Sequence, residues 1–335
     1  MNNKIISSIL GIVAATVFCF TGCSAGFSYF NYTYENGDKY TAGDREITDK
    51  ITSVNIDYGA GNVKFSGSDT DKVSIRETAN KDLTEEQKVH TWVDGNTLYV
   101  RYCASTKRIS FYKIQKELEI TVPGAQDLSE LVVKVSAGNM DFDGFKTDKL
   151  NVESSAGNVS FSCSAKEAAI KVTSGNIRFE ENGDAKLIDI NSTSGNIKVN
   201  QKGSLESVKI HATSGDIDAV FDSVSACDIR STAGNRSIEA ESIVDFKSQS
   251  TSGNNKFKFC KAPKTADIKS SSGNVYVYLP EDCDVTFHPK ITSGEFDYKL
   301  TLTKNGKDYV NGNGTNDMII SVTSGNITLY SLLDD

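Results

Sequence analysis

The residues that most often perform catalysis or bind metals are few in this chain. The 335-residue sequence contains three histidines, His90, His211 and His288. A zinc site or a histidine-based triad needs its side chains within a few ångströms of one another. The repeat spacing described below separates His211 from His288 by four repeats, or roughly 19 Å at the spacing of neighbouring strands. We therefore expect no metal site and no histidine triad.

Three pairs of carboxylates are the remaining candidates for acid–base chemistry. Each pair follows a glycine at the same offset: Asp141 with Asp143, Asp216 with Asp218, and Glu295 with Asp297. Repetition at one offset is typical of a solvated face, on which we expect Lys198 to stack beside Asp218. The sequence has no phosphate-binding loop, no G-x-S-x-G elbow and no calcium-binding nonapeptide repeat. We therefore expect no catalytic residue and no cofactor.

A four-residue word, Ser/Thr-Ser/Ala-Gly-Asn, recurs through the last two thirds of the chain and positions these residues. The regular copies have their glycines at positions 138, 157, 175, 195, 215, 234, 253, 273 and 294, and a last copy ends at Asn326. A fixed period of about 20 residues indicates stacked repeats. An early copy, at Gly61, precedes Gly138 by a much longer interval.

Apolar residues alternate on both sides of each repeat glycine. Around Gly195, for example, Ile190 lies five residues before the glycine, and Ile197 and Val199 lie two and four residues after it. Alternation of this kind is typical of strands, and no segment of the repeats keeps a helical period for three turns. The sequence predicts an all-β chain, a parallel β-solenoid (single-stranded β-helix) of about 20 residues per coil with a β-rich N-terminal cap.

The polar positions of the repeat predict its register. Glycine and asparagine tolerate the positive φ of a tight turn, and stacked asparagines can hydrogen-bond along the axis; a ligand site along the asparagine row is the alternative. The sixth position before the glycine alternates in charge, which predicts a ladder of opposite charges. Its members are Asp189, Lys209, Asp228, Lys247 and Asp267.

A second outward row suggests a ligand-binding face. The fourth position before the glycine is mostly basic or amide in a chain with 36 basic and 44 acidic residues. Side chains at about 4.8 Å intervals suit an extended acidic polymer such as a cell-wall glycan; a merely solubilising face is the alternative. The candidate ligand residues are Lys171, Arg230, Lys269 and Lys290.

The N-terminus predicts export. Lys4 precedes an apolar run from Ile5 to Phe20, and Cys23 follows Thr21 and Gly22. Such a run is typical of a secretory signal and too short for a membrane span. We expect a lipoprotein signal peptide at residues 1–22 with lipid attached to Cys23; an ordinary signal cleaved after residue 25 is the alternative.

The remaining segments are assigned from their patterns. Residues 23–46 lack a period and are predicted to be a tether, residues 47–125 a β-rich cap and residues 126–331 the solenoid repeats. The step from Gly294 to Gly325 is longer than any between the regular copies, which predicts a hairpin or two turns inserted before the final coil, where they can cover its exposed edge. An open solenoid end would expose unpaired strand edges, so we expect the cap to cover the other end.

Composition excludes several classes of partner. Without the signal peptide the chain has 35 basic and 44 acidic residues, a net charge of −9, which argues against nucleic acid or anionic lipid. Five cysteines remain after Cys23. Because this number is odd, we assign no disulfide framework, and we expect Cys227 to behave as a small buried apolar residue.

The order of these features resembles one bacterial family. An opening ITSVNID with GAGNV at residues 51–63, a strand ending in ITVPG, tandem SGNI and SGNV copies and a last TSGNITL are similar to the bacterial putative adhesin family, lipoproteins with a β-strand-repeat domain of unknown function. The resemblance covers residues 47–330. It implies a parallel β-solenoid exposed on the cell surface, and it supplies no catalytic residues and no ligand.

Two functions from different classes are compatible with these patterns. The first is a non-enzymatic surface lipoprotein, an adhesin or scaffold module that binds a cell-wall glycan or another envelope protein with the solenoid sides. The second is a polysaccharide-active β-helix enzyme, a lyase or hydrolase; its groove would need walls of long loops, whereas residues 181–186 form a short turn. A sensor acting with a membrane partner is a third possibility. We expect no enzyme.

Overall fold

Almost all regular structure in the described part of this protein is β-strand. The computed structural model describes residues 29–124 and 127–334. It contains two short 3-10 helices, Gly37–Lys39 and Leu332–Asp334. Within the described ranges, no helix is long and apolar enough to cross a membrane. The predicted all-β class is confirmed, while residues 1–22, predicted to be a signal peptide, and Cys23 lie outside the described residues.

The strands are numbered in chain order. Those of the N-terminal part are β1 (Tyr29–Tyr32), β2 (Thr41–Ala42), β3 (Arg45–Ile47), β4 (Ser53–Ala60), β5 (Asn62–Ser68), β6 (Val73–Ala79), β7 (His90–Asp94), β8 (Thr97–Arg101), β9 (Thr106–Ser110) and β10 (Lys116–Pro123). Those of the regular repeats are β11 (Asp127–Ala137), β12 (Met140–Ala156), β13 (Val159–Ser174), β14 (Ile177–Asn182), β15 (Ala185–Ser194), β16 (Ile197–Ser214), β17 (Ile217–Ala233), β18 (Arg236–Ser252), β19 (Asn255–Phe259), β20 (Thr265–Ser272) and β21 (Val275–Leu279). The last six are β22 (Val285–Ser293), β23 (Phe296–Tyr298), β24 (Thr303–Asn305), β25 (Asp308–Val310), β26 (Asn316–Ser324) and β27 (Ile327–Ser331).

Successive repeats pair in parallel with their glycine turns aligned. Between β16 and β17, Ile197 lies opposite Ile217 and Lys209 lies opposite Asp228. Asp189 lies opposite Lys209 on the preceding strand. The predicted register, including the stacking of alternating charges, is therefore confirmed.

The inward-facing residues form one continuous hydrophobic core, which extends from Ile47 to Leu329. Alternate side chains point into it because strand side chains change face at every residue. Cys227 lies opposite Val208 and is 2% exposed, as expected for a small apolar residue. The five cysteines of the described chain are all free.

The early copy of the repeat word belongs to the same stack. β4 pairs in parallel with β11, and β5 pairs in parallel with β12. The Asn139 amide donates to Asn62 Oδ1 at 3.2 Å, so the two words are adjacent in space although they are far apart in sequence. Antiparallel strands extend the stack at this end. β7 and β2 follow β8, and β6 and β3 follow β10.

The segment predicted to be a tether is folded from Tyr29 onward. β1 pairs with β9, β2 with β7, and β3 with β6. Tyr34 is 9% exposed, and the Lys39 ammonium lies 4.8 Å from the centre of the Trp92 ring. Aromatic packing and short antiparallel pairs need no period, which is why the pattern did not reveal them. The tether prediction is wrong for residues 29–46, and residues 23–28 lie outside the described part.

The repeats leave sequence order at the C-terminal end. β20 pairs with β26, and β26 pairs on its other side with β22. The last repeat in sequence therefore lies between two earlier ones, and the repeat of Gly294 is the terminal one. The inserted residues form the predicted hairpin, β24–β25, but β25 pairs with β22 only at Thr286 and Phe287. We expected the insertion to precede the final coil and to cover its exposed edge. The final coil in sequence is not at the end of the stack, and the hairpin pairs with only the start of the strand that is, β22.

Candidate functional site

A shallow groove of about 490 Å³ runs across the strands that precede the glycine turns, from one repeat to the next. Two rows of outward-facing side chains line it, one at the fourth and one at the second position before each glycine. We call it the side groove, and the members of its two outward rows are Lys171, Thr173, Asn191, Thr193, His211, Thr213, Arg230, Thr232, Gln249 and Thr251.

Strand geometry holds the two rows in place. The residues between them, such as Val172 and Ala212, point into the core and are 1% and 6% exposed. Lys171 lies opposite Asn191, and His211 lies opposite Arg230, so each strand contributes one rung. Five rungs at about 4.8 Å give a groove roughly 19 Å long.

Two residues of the groove row are held by acidic side chains of the charge ladder. Arg230 donates from Nη2 and Nε to the two carboxylate oxygens of Asp228 at 2.8 and 3.0 Å. Asn191 Nδ2 donates to Asp189 Oδ1 at 2.7 Å. The acidic members of the charge ladder thus orient groove residues two positions along the same strand. Both contacts leave the exposed face of the groove polar.

Two of the four candidate ligand residues line the side groove, Lys171 and Arg230. Lys269 lies opposite Gln249, one rung beyond the groove, and its ammonium lies 2.7 Å from Asp267 Oδ2. Lys290 is separated from Lys269 by Ser321, because the last repeat is inserted there. The prediction that Lys269 and Lys290 are consecutive rungs of one face is wrong.

The threonine row was missed as a surface by sequence reasoning. It is the first letter of the repeat word, and all five groove threonines are exposed. The row supplies hydroxyl groups parallel to the amide and basic row. These threonines are visible in the repeat word of the sequence. A tight turn is enough to explain that word, so the sequence alone does not identify the threonines as a surface.

A smaller depression of about 280 Å³ lies near the terminal repeat. There His288 Nδ1 lies 2.7 Å from Asp308 Oδ1, and His288 Nε2 lies 2.7 Å from Asp317 Oδ1. Burial opposes the charged imidazole, but the hydrogen bonds to the two carboxylates outweigh it and raise the pKa of His288. This contact joins β22, the inserted hairpin and β26, which are far apart in sequence.

The asparagine row and the carboxylate pairs have structural roles. Asn158 donates from its amide to Asn139 Oδ1 at 3.0 Å, and the same bond links each turn to the next. Asp216 takes part in this ladder by accepting from the Asn235 amide at 2.7 Å. Asp218 lies 3.8 Å from Lys198, as expected for a solvated face. The side-chain oxygens of the asparagine row thus accept hydrogen bonds from the backbone amides of the next repeat.

A buried polar pair interrupts the apolar core, and the sequence analysis did not identify it. Arg236 is 1% exposed and occupies the position of Ile217 in the preceding repeat. Its Nε donates to Asn255 Oδ1 at 2.7 Å, and its Nη1 donates to the Gln249 carbonyl at 2.9 Å. Burial lowers the pKa of Arg236 to about 10. The hydrogen bonds satisfy a charge that faces no carboxylate here.

The cap contains a second buried network. Lys116 Nζ lies 2.8 Å from Glu77 Oε1 and donates to the Tyr102 carbonyl at 2.6 Å. Tyr58 and the Val89 amide donate to the same carboxylate. Burial lowers the pKa of Lys116, although Glu77 opposes this shift. Both charged side chains are almost inaccessible, so the pair links strands inside the cap and is unable to reach a ligand.

Metal binding finds no support in the described chain. No group of three or more His, Cys, Asp or Glu side chains within residues 29–124 and 127–334 is arranged to hold an ion. The histidines are also far apart in the fold: His211 lies in the side groove and His288 at the terminal repeat.

The repeat architecture defines a class of all-β repeat proteins, and the family comparison gives the particular family. The model of the Toastrack DUF4097 family matches residues 51–226 and 165–330. The two matches together cover most of the chain, so the protein belongs to this family. This agrees with the family resemblance found in the sequence.

Solved structures similar to this chain carry names of the same kind. They include a "putative cell adhesion protein" from Clostridium sporogenes ATCC 15579, 12% identical, with 87% of this chain and 99% of that chain covered and a TM-score of 0.25. A "putative adhesin" from Parabacteroides merdae ATCC 43184 is 13% identical, with 86% and 96% covered and a TM-score of 0.39. A "putative lipid binding protein" from Parabacteroides distasonis ATCC 8503 is 12% identical, with 87% and 97% covered and a TM-score of 0.37. A search of curated proteins found no match. At these values the likeness carries no argument about function.

Proposed function

We propose that this protein is a non-enzymatic binding module on the outer surface of a bacterial cell, an adhesin or scaffold held at the membrane by lipid on Cys23. Its body is a parallel β-solenoid of about 20 residues per coil, with residues 47–125 as cap and 126–331 as repeats. The apolar run before Cys23 and the membership of a family of β-repeat proteins support this proposal.

The side groove is the proposed binding surface, and its ligand is an extended acidic glycan of the cell wall. The observation that carries this proposal is the pair of parallel rows: exposed threonine hydroxyls beside amide and basic side chains over five consecutive repeats. Hydroxyl and amide groups bond to sugar hydroxyls, and Lys171 and Arg230 attract acidic groups. The regular spacing suits a regular polymer.

The composition of the groove favours binding over cleavage. Hydrolysis of a glycosidic bond uses a pair of carboxyl groups that flank the bond. In the described chain, the groove is lined by hydroxyl, amide and basic side chains, together with small apolar ones, and by no carboxylate. The nearest acids, Asp189 and Asp228, are engaged with Asn191 and Arg230.

A pull-down with isolated cell-wall glycan tests the proposal. We expect the parent to bind the acidic fraction at low salt, and we expect the double variant Lys171→Ser/Arg230→Ser to lose most of this binding. The matched control is Arg178→Ser/Lys198→Ser, which removes one arginine and one lysine from neighbouring strands beyond the glycine turn. Equal binding by all three proteins, or no binding by the parent, contradicts the proposal.

A further inference from the structure

The two ends of the repeat stack differ in how they are covered. At the N-terminal end, antiparallel strands pair with the last parallel ones, and Val73 and Ile75 of the antiparallel strand β6 are 2% and 0% exposed. The outermost strands there, β2 and β3, contain only two and three residues. Very short edge strands leave little backbone for another chain to pair with. This end is sealed.

At the C-terminal end, the inward-facing residues of the terminal repeat are only partly covered. Ile291, Phe296 and Tyr298 hold the core positions of this repeat. Tyr298 is 38% exposed, whereas Leu329, which lies opposite it in the neighbouring repeat, is 0% exposed. Phe296 packs against Tyr309 of the inserted hairpin at 4.7 Å between ring centres. The hairpin thus covers a part of the apolar end and leaves the rest in contact with water.

The backbone of the terminal repeat also lacks a neighbour. In the repeats before it, the glycine amide and the amide two residues later donate to the following repeat, as Gly138 does to the Ala156 carbonyl at 3.0 Å and Met140 to the Asn158 carbonyl at 2.9 Å. The equivalent amides here belong to Gly294 and Phe296. From residue 288 to 298, no strand of the described chain pairs on the outer side of β22 and β23.

We propose that this open edge is an interface with a second copy of the same chain. An exposed strand edge with apolar residues behind it pairs readily with another strand. A head-to-tail stack is excluded because the other end is sealed, so the self-complementary solution is a closed two-fold dimer, in which one patch meets itself. The dimer leaves both side grooves open, since these lie on the lateral face of the stack.

The geometry of the turn at Gly294 favours a second copy of the chain as the partner. A two-fold axis through the turn at Gly294 places β22 of one copy antiparallel to β23 of the other. Lys290 and Asp297 are both exposed and lie on opposite sides of the turn, so each meets the opposite charge on the second copy. Glu295 ends the asparagine row and is exposed, so its carboxylate is available to accept from the unpaired amides of the second copy.

Sedimentation velocity of the full-length protein in detergent tests the inference. We expect the parent to change from monomer to dimer as its concentration rises into the micromolar range. The variant Asp297→Lys brings four positive charges together at the interface and should weaken the dimer at least tenfold. The charge-swapped variant Lys290→Asp/Asp297→Lys should restore it. The control Asp218→Lys changes the same position of a central repeat and should leave the dimer unchanged.

Four outcomes overturn the inference. The parent can remain monomeric throughout, Asp297→Lys can dimerise as well as the parent, Asp218→Lys can weaken the dimer equally, or the charge-swapped variant can fail to restore the dimer. Circular dichroism melts of each variant accompany the measurement, because a variant that unfolds also loses the dimer. Restoration by the double variant separates a lost ion pair from a damaged fold, and a failure to restore the dimer counts against the proposal.

Discussion

Glu181 and Gln201 occupy the same inward position on neighbouring strands, and both are fully buried. Burial raises the pKa of Glu181 to about 7, although the hydrogen bond from the Ala165 amide to its carboxylate opposes this shift. An unfolded glutamate titrates near its ordinary value of about 4.3. Since the folded chain holds its proton more tightly, this residue costs the fold stability as the pH rises from about 4.3 to about 7.

Replacing Glu181 by glutamine should remove that cost. Gln201, at the same position of the neighbouring strand, shows that the core accommodates an amide there. We expect Glu181→Gln and the parent to be similar in stability at pH 4. The variant should become more stable by up to roughly 4 kcal/mol at pH 8, at about 1.4 kcal/mol per pKa unit. Urea unfolding between pH 4 and pH 8 measures the difference. The exposed Glu206→Gln is the control, and a constant difference across this range would contradict the assignment.

Gly215 shows why the repeat word contains glycine. Its φ is +121°, and a Cβ atom there would lie 2.2 Å from the Gly195 carbonyl oxygen of the preceding repeat. Gly306, in the inserted hairpin, also has a positive φ, of +65°, but has nothing within 4 Å of the equivalent position. The first glycine is required by stacking as well as by conformation, and the second by conformation alone.

This contrast can be measured by alanine substitution. We expect Gly306→Ala to cost about 1 kcal/mol, since only the backbone strain applies. Gly215→Ala must also displace the neighbouring backbone and should cost several kcal/mol, which places it among the most damaging substitutions. Chemical denaturation of both variants provides the test. Equal losses would show that the turns are not in close contact.

At the scale of the strand, the charge ladder places opposite charges next to each other only in the observed register. Lys209 lies between Asp189 and Asp228 on the two neighbouring strands. Both acids also contact a groove residue of their own strand, Asn191 and Arg230 respectively. The ladder therefore links the register of the stack to the orientation of side chains in the groove.

Lys209→Asp places three acids in a row and should lower stability. Two favourable contacts become repulsive, each by about 0.2–1 kcal/mol, and salt reduces the effect. Thermal melts at low and high salt measure it. The control is Lys261→Asp, an exposed residue of the β19–β20 loop, because Lys39 lies over Trp92 and is unsuitable. Equal, salt-independent changes in both variants would contradict the register.

Local periodicity predicted the elements better than their connections. The glycine turns, the asparagine row and the inward residues follow from a pattern that every repeat restates. The interchange of the last two repeats does not follow from the pattern. The long step before Gly325 shows how many residues are inserted, but it does not show which strands pair with β26, because that depends on packing in three dimensions. Arg236 was invisible for the opposite reason: it breaks the pattern at one position, and only the fold shows that it is inside.

The candidate site was partly predictable. Lys171 and Arg230 can be found because outward positions follow from the strand period, and both line the side groove. Lys290 does lie in the same row, opposite Ser321, but it is not the rung next to Lys269, because the last repeat lies between them and sequence order does not show this. The carboxylates that hold His288 come from the insertion and the last repeat, and no sequence spacing brings them together.

At the scale of the whole molecule, the proposed lipid on Cys23 decides where the protein is located. Cys23→Ser should release the protein from the membrane fraction, because the proposed anchor is attached at this single sulfur. Fractionation followed by mass spectrometry of the mature N-terminus is the measurement. Membrane association that persists in the variant, with the mature chain beginning at Gly26, would contradict the lipoprotein prediction.

The side groove makes a prediction about ligand length, because its rungs repeat over roughly 19 Å at about 4.8 Å each. Each added sugar of an acidic oligosaccharide should contact further rungs until the groove is filled. The most direct measurement is calorimetric titration of the parent with acidic oligosaccharides of increasing length. We predict that Kd falls with length and then levels off once the ligand spans the five rungs, and that Lys171→Ser/Arg230→Ser abolishes this dependence. An affinity that does not change with length, or that the double variant retains, would contradict the side groove as the binding site.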